Sequence, residues 1–138
     1  NALELLKEGE SKILESTFTP WFDAKISRSA GLYIVKDNTD KLIYIGESSD
    51  LYDRIKTHGG RTYFSALRRH IGTDVLGFHL QEIKGKKRYF KENEDKTVTD
   101  FLKTCKLTVF PVSFGRYELE EYLIKKHAPL LNRKGNKE

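Results

Sequence analysis

Two short β-rich runs, residues 31–36 (GLYIVK) and 42–46 (LIYIG), flank the polar cluster Asp37-Asn38-Thr39-Asp40-Lys41. β-Branched and aromatic residues on both sides of such a cluster predict an antiparallel hairpin. This hairpin limits the fold more than any other feature, because the segments around it read mostly as helix.

Before the hairpin, Leu3, Leu6, Ile13 and Leu14 recur at helical spacing among charges. They predict an amphipathic helix over residues 2–15, interrupted near Gly9 and ended before Thr19-Pro20, with Trp21-Phe22 as an apolar anchor. After the hairpin, Ser48 or Ser49 is placed to cap a helix reaching about His58, with Leu51 and Ile55 on its buried side. Beyond Gly59-Gly60, Phe64, Leu67 and Ile71 predict a helix over residues 62–71. Residues 75–83 read as a strand, 84–94 as a charged loop, 96–104 as a helix and 107–112 as a strand. A strong helix over residues 116–127 follows Gly115 and is stopped by Pro129. This order predicts a mixed α/β (α+β) fold: a small central three-stranded sheet, antiparallel or mixed, flanked by helices. Residues 1–30 read as an N-terminal helical extension and 31–138 as the main domain.

At 138 residues, 38% apolar and 33% charged, the chain suits one folded domain rather than a disordered one. The single cysteine, Cys105, excludes an intramolecular disulfide and a cysteine-cluster metal site, and its apolar neighbours predict a half-buried helix position. No apolar run is long enough to span a membrane and no secretory pattern opens the chain, so the cytoplasm is the expected location. The absence of methionine suggests a piece of something longer. The net charge of +5 suits a polyanionic partner, although a solvated surface accounts for it equally well.

The last predicted helix contains a carboxylate out of place. At about 100° per residue, Tyr117, Leu119, Leu123 and Ile124 form one apolar arc, and Glu120 falls inside it. Glu118 and Glu121 fall outside, where Glu121 and Lys125 make an ordinary surface pair. A core-facing carboxylate is costly unless it is paired or bound to a cation. Helix geometry alone leaves both a buried salt bridge and a metal ligand open.

Gly31-Leu32-Tyr33 and Tyr44-Ile45-Gly46, with their tyrosines 11 residues apart, resemble the two strand motifs of the GIY-YIG nuclease family. Arg54, on the helix after the second motif, matches the family's helical arginine, and His58 lies one turn later. Glu120 and Asn132, 12 residues apart, match its glutamate and asparagine. The resemblance runs from Gly31 to Asn132 and is specific at its two ends; residues 73–114 do not align. Excision-repair members carry lysine directly after YIG. This chain has Glu47 there, which points to a restriction- or mobile-element-like member and leaves Lys36 or Lys56 to supply any cation.

The resemblance implies a divalent-metal-dependent endonuclease acting on DNA with Mg²⁺ or Mn²⁺. Glu120 would be the only protein ligand of the metal, and Arg54 would grip the scissile phosphate. Tyr33 is the expected general base, with Tyr44 orienting the water; a phenol of pKa about 10 needs neighbouring cations for that role. His58 would bind phosphate or relay a proton, and Asn132 would brace the site. Gly46, Lys56, Arg68 and Arg69 are expected on the substrate side, and the basic segments 84–88 and 133–134 along the phosphate backbone. A homodimer or membership of a larger chain fits a domain of this size. The alternatives are a structure-specific repair nuclease module and a non-catalytic basic domain that binds nucleic acid.

Overall fold

In the computed structural model, which describes residues 1–132, the chain opens with α1 (Ala2–Glu15). The Asn1 side chain accepts from the Glu4 N–H at 2.9 Å and the Glu4 carboxylate reaches back, a reciprocal cap that sets the helix start. Gly9 does not interrupt the helix. It lets the Leu119 side chain approach, since a Cβ at residue 9 would lie 3.1 Å from it. The buried line of α1 is therefore Gly9, Glu10 and Ile13, whereas Leu3 and Leu14 face solvent.

The central sheet is built from β1 (Thr19–Pro20), β2 (Gly31–Lys36) and β3 (Leu42–Ser48), with a fourth strand late in the chain. In the turn between β2 and β3, the Asp37 carboxylate accepts from the Thr39 and Lys41 N–H groups and the Thr39 hydroxyl. Next come α2 (Leu51–His58), a 3₁₀ turn at Thr62–Phe64, α3 (Ala66–His70) and a π-helical turn at Ile71–Val75. β4 (Gln81–Ile83) and β5 (Lys86–Tyr89) form a separate hairpin. α4 (Glu92–Lys103), β6 (Lys106–Pro111) and α5 (Arg116–His127) complete the described elements.

The strand order is β1-β6-β2-β3, antiparallel at every pairing. A three-stranded sheet was expected; β6, β2 and β3 form it and the two-residue β1 adds a fourth strand at the β6 edge, while the strand expected over 75–83 is extended only at Gln81–Ile83 and lies outside this sheet. Alternation along β2 and β3 divides the core. Tyr33, Val35 and Tyr44 pack with Trp21, α2, α3 and α4, while Leu32, Ile34 and Ile45 pack with Ile13, Leu119 and Leu123 of α1 and α5.

Several local expectations are corrected. Asp50, not a serine, caps α2, its carboxylate accepting from the Asp53 N–H at 3.1 Å. The helix expected over 62–71 is split because Ser65 takes an extended conformation and caps α3 through the Arg68 N–H. Phe64 is thereby released from the buried face and stands 51% exposed. Residues 84–94 are not one loop: Lys84 and Gly85, both at positive φ, make the tight turn of the β4–β5 hairpin. α4 starts earlier than expected, at Glu92, where Glu92, Glu94 and Asp95 face the positive end of the helix dipole. Cys105 lies just past α4 and is buried, and burial pushes its thiol to about 12, so it is an inert packing group. Among the described residues, no helix is long and apolar enough to cross a membrane.

α1 is pinned to α5 through buried Glu10, whose carboxylate accepts from Lys126 Nζ at 2.7 Å and meets His127 Nε2 at 2.6 Å. Burial acts to raise the Glu10 pKa, but the bonds from Lys126 and His127 outweigh it and hold it below the usual carboxylate range. A carboxyl with a lowered folded pKa stabilises above its unfolded value, and that contribution is lost as the pH falls through the folded one. Glu10→Ala is expected to lower stability at pH 7 by about 1–2 kcal/mol in urea denaturation. The difference from the parent should shrink below about pH 4; a gap that persists unchanged at acid pH would assign the loss to packing.

Candidate active site

Cross-strand register assembles the site. Tyr33 of β2 stands opposite Gly46 of β3, and Tyr44 stands opposite Val35. The Tyr33 ring lies over Gly46, where any Cβ would collide with it. Gly46, expected near substrate, therefore acts first as the seat of Tyr33.

α2 brings His58 under both phenols. The Tyr33–His58, Tyr33–Tyr44 and Tyr44–His58 ring centroids are 5.4, 6.1 and 6.0 Å apart, and Trp21 meets His58 edge-on at 6.3 Å. The Tyr33 hydroxyl is 2.6 Å from His58 Nε2, and His58 Nδ1 is 2.6 Å from Ser65 Oγ. A buried chain Tyr33–His58–Ser65 results. Burial, followed by the charges of Arg54, Arg68 and Arg69, holds His58 well below its ordinary pKa. A neutral ring has one donating and one accepting nitrogen, so it can take a proton from one neighbour while giving one to the other. The phenols are nearly closed to solvent, with Tyr33 at 1% and Tyr44 at 6% exposure.

Asn132 closes the outer edge of β3. Its Oδ1 accepts from the Ile45 N–H and its Nδ2 donates to the Ile45 carbonyl, both at 2.8 Å, between Tyr44 and Gly46. The Leu131 N–H donates to the Ile43 carbonyl, and His70 Nδ1 donates to the Leu131 carbonyl. The asparagine thus substitutes for a neighbouring strand at an edge that would otherwise be unpaired. These hydrogen bonds go to the backbone of β3, whereas the sequence led us to expect them near the end of α5.

The remaining predicted residues do not all join this cluster. Arg54, one turn before His58, donates through its terminal nitrogen to the Phe64 carbonyl at 2.7 Å. Glu120 is 9% exposed on α5, beside Leu119 and Leu123, and α5 packs against β3. Its neighbours differ as the helix arc predicts: Glu118 and Glu121 are exposed. Lys56 is exposed on α2, 5.7 Å from the Tyr52 ring. Lys36 lies over Phe18 and 3.7 Å from Asp40. Glu47 accepts from Arg116 Nε at 2.8 Å. Arg69 donates to the Thr62 and Tyr63 carbonyls at 3.1 and 2.7 Å.

Arg68 is corrected outright. It was expected on the substrate side but is 0% exposed, donating to Thr62 Oγ1, Thr99 Oγ1 and the His58 and Asp95 carbonyls, with Asp95 as ion partner at 3.2 Å. It is a structural tie. Residues 133–134 lie outside the described residues. Ser65 and His70 were not singled out from the sequence, and Trp21 was expected only as an apolar anchor. A serine three residues before Arg68 was the one available signal, as a helix cap.

A buried carboxylate such as Glu120 offers oxygen to a hard cation. Among the described residues there is no group of three or more His, Cys, Asp and Glu able to hold a metal.

The depressed His58 pKa has a measurable consequence. Between its folded value and the unfolded value near 6.5, the unfolded chain binds the extra proton, so stability falls as pH falls below about 6.5. His58→Gln should lack that slope, which approaches about 1.4 kcal/mol per pH unit. ¹⁵N NMR of the parent should show a neutral His58 ring at pH 6. A protonated ring there, or parallel stability curves for parent and variant, would contradict the assignment.

The family model of the GIY-YIG catalytic domain matches residues 21–138. Among solved structures, the chain is similar to the GIY-YIG N-terminal endonuclease domain of UvrC from Thermotoga maritima bound to its catalytic divalent cation, magnesium. That likeness has 18% identity, covers 91% of this chain and 97% of that one, and has a TM-score of 0.47. A point mutant of the same domain, also with its catalytic divalent cation, aligns at 19% identity over 92% and 97% of the two chains, with a TM-score of 0.46. A search of curated proteins finds no match. The family match begins at the buried Trp21 and takes in both tyrosine strands, the α2 histidine, the α5 glutamate and Asn132: the chain belongs to the GIY-YIG catalytic-domain family.

Proposed function

We propose that this protein is a metal-dependent endonuclease that hydrolyses DNA phosphodiester bonds, with Tyr33 as general base. The observation that carries the reading is the 2.6 Å bond between the Tyr33 hydroxyl and the neutral, buried His58. With Nδ1–H donated to Ser65 Oγ, the Nε2 lone pair faces the phenol, accepts its hydrogen bond and fixes the oxygen in place. Arg54 and a bound cation would favour loss of the phenol proton to solvent, and the phenolate then draws a proton from the attacking water. Ser65 Oγ also accepts the Arg68 N–H, so the serine is held in place for this task.

Tyr44, beside both rings, orients that water. Arg54 grips the phosphate by charge-assisted bonds that strengthen as negative charge develops. Glu120 would hold Mg²⁺, which when bound supplies neutralisation of the phosphate and of the leaving 3′ oxygen. Asn132 keeps β3 in register so that Tyr44 and Gly46 stay where Tyr33 needs them. Glu47, taken up by Arg116, supports a restriction- or mobile-element-like member over an excision-repair one. The burial of both phenols favours one competing reading, a DNA-binding scaffold without catalysis.

Supercoiled plasmid with Mg²⁺ or Mn²⁺ separates the two. The parent should nick it, Tyr33→Phe should slow nicking about 10²–10⁴-fold, and Glu120→Gln should abolish metal-dependent nicking. Wild-type nicking by Glu120→Gln would sink the metal-ligand role. DNA binding without nicking by the parent would establish the scaffold instead.

A further inference from the structure

The 3₁₀ turn at Thr62–Phe64 and the β4–β5 hairpin share an aromatic cluster outside the tyrosine–histidine site. The Tyr63 ring meets Phe64 edge-on at 4.9 Å and lies tilted against Tyr89 at 5.3 Å. Cations surround it: Arg61 is 4.9 Å over Phe64, while Arg88 and Lys86 are 5.4 and 5.5 Å over Tyr63. Lys86 Nζ also donates to the Tyr63 hydroxyl at 2.8 Å. Phe64 remains 51% exposed, so the cluster is more than an anchor that seals the hairpin down.

Beside Phe64 a cleft of about 410 Å³ is lined by Arg54, Arg61, Arg69 and Arg88, with Asp53 the only carboxylate there among the described residues. Four guanidinium groups against one carboxylate suit a polyanion, and an exposed ring among them suits a flat, stackable group. A nucleotide supplies both. The cleft is joined to the proposed chemistry, because Arg54 lines it while donating to the Phe64 carbonyl, and Arg69 holds the two preceding carbonyls.

We infer that Phe64, flanked by Arg61 and Arg88, is a stacking platform for an unpaired DNA base next to the phosphate held by Arg54. The preferred substrate is then DNA with a bulged, flipped or single-stranded nucleotide rather than uninterrupted duplex. Stacking on Phe64 offsets the loss of base stacking, and the arginines neutralise the flanking phosphates. The inference deepens the nuclease reading and rests on it for the position of the scissile phosphate.

Binding without metal tests it separately from cleavage. Labelled duplexes of equal length, fully paired or with one bulged base, are titrated with the full chain in EDTA and followed by fluorescence anisotropy. The parent should bind the bulged duplex about tenfold more tightly than the paired one. Phe64→Ala should lose most of that preference while binding paired duplex as before, and Phe64→Trp should keep it. Arg61→Ala, altering an exposed residue, should weaken binding to the bulged duplex and flatten its salt dependence. Equal affinity of the parent for the two duplexes, or a preference retained in Phe64→Ala, would overturn the platform. If the preference holds while the parent cuts neither plasmid nor the bulged duplex in Mg²⁺ or Mn²⁺, the platform stands and the nuclease reading falls.

Discussion

The Arg68 guanidinium has no exposed surface, and much of the fold on the tyrosine side of the sheet is arranged to satisfy it. A buried cation is tolerated only when its donors are matched, and here the acceptors come from three places: the end of α2, the 3₁₀ turn and α4. Asp95 supplies the countercharge and also accepts from the Thr62 hydroxyl. Removing any one element would leave a desolvated charge without its partners, so these short pieces hold together although each is too small to be stable alone.

That buried charge also shapes the surroundings of His58. His58 is the last residue of α2, and its carbonyl is one of Arg68's acceptors. The ring is therefore fixed at the distance at which Tyr33 and Ser65 meet its two nitrogens, while the arginines nearby oppose its protonation. Packing and the electrostatics of the histidine share one set of contacts. On the far side of the hairpin, Asn132 performs the matching task for β3 by offering an amide to an edge strand that lacks a neighbour. The site is held between a buried cation on one side and a strand substitute on the other.

Much of this was legible from residue patterns. The β2–β3 hairpin followed from two β-rich runs around an Asp/Asn turn, and the bounds of α5 followed from Gly115, its apolar arc and Pro129. Glu120 was separable from Glu118 and Glu121 by helix angle, because position on a single helix is a local property. The split at Ser65 was not legible. A serine inside an apolar i, i+3, i+7 pattern is ambiguous, and its choice of the capping conformation is supported by a side chain 7 residues earlier, His58, which bonds its hydroxyl. The β4–β5 hairpin was missed because its strands are short and charged, and only Lys84-Gly85 signalled the turn.

The amino-acid order alone determined the elements that depend on near neighbours: the hairpin, the last helix, the inward glutamate and the motifs that match the family. Only tertiary structure decided the fate of residues whose role depends on distant partners. Arg68 and Arg69 are adjacent arginines with the same local character, yet one is fully buried against α4 and the other holds the turn beside the cleft. Gly46 became the seat of a ring from the opposite strand, and His58 became a neutral link between two hydroxyls. Burial and partner geometry decide how much a charge or proton costs, and both are set by segments far apart in the chain.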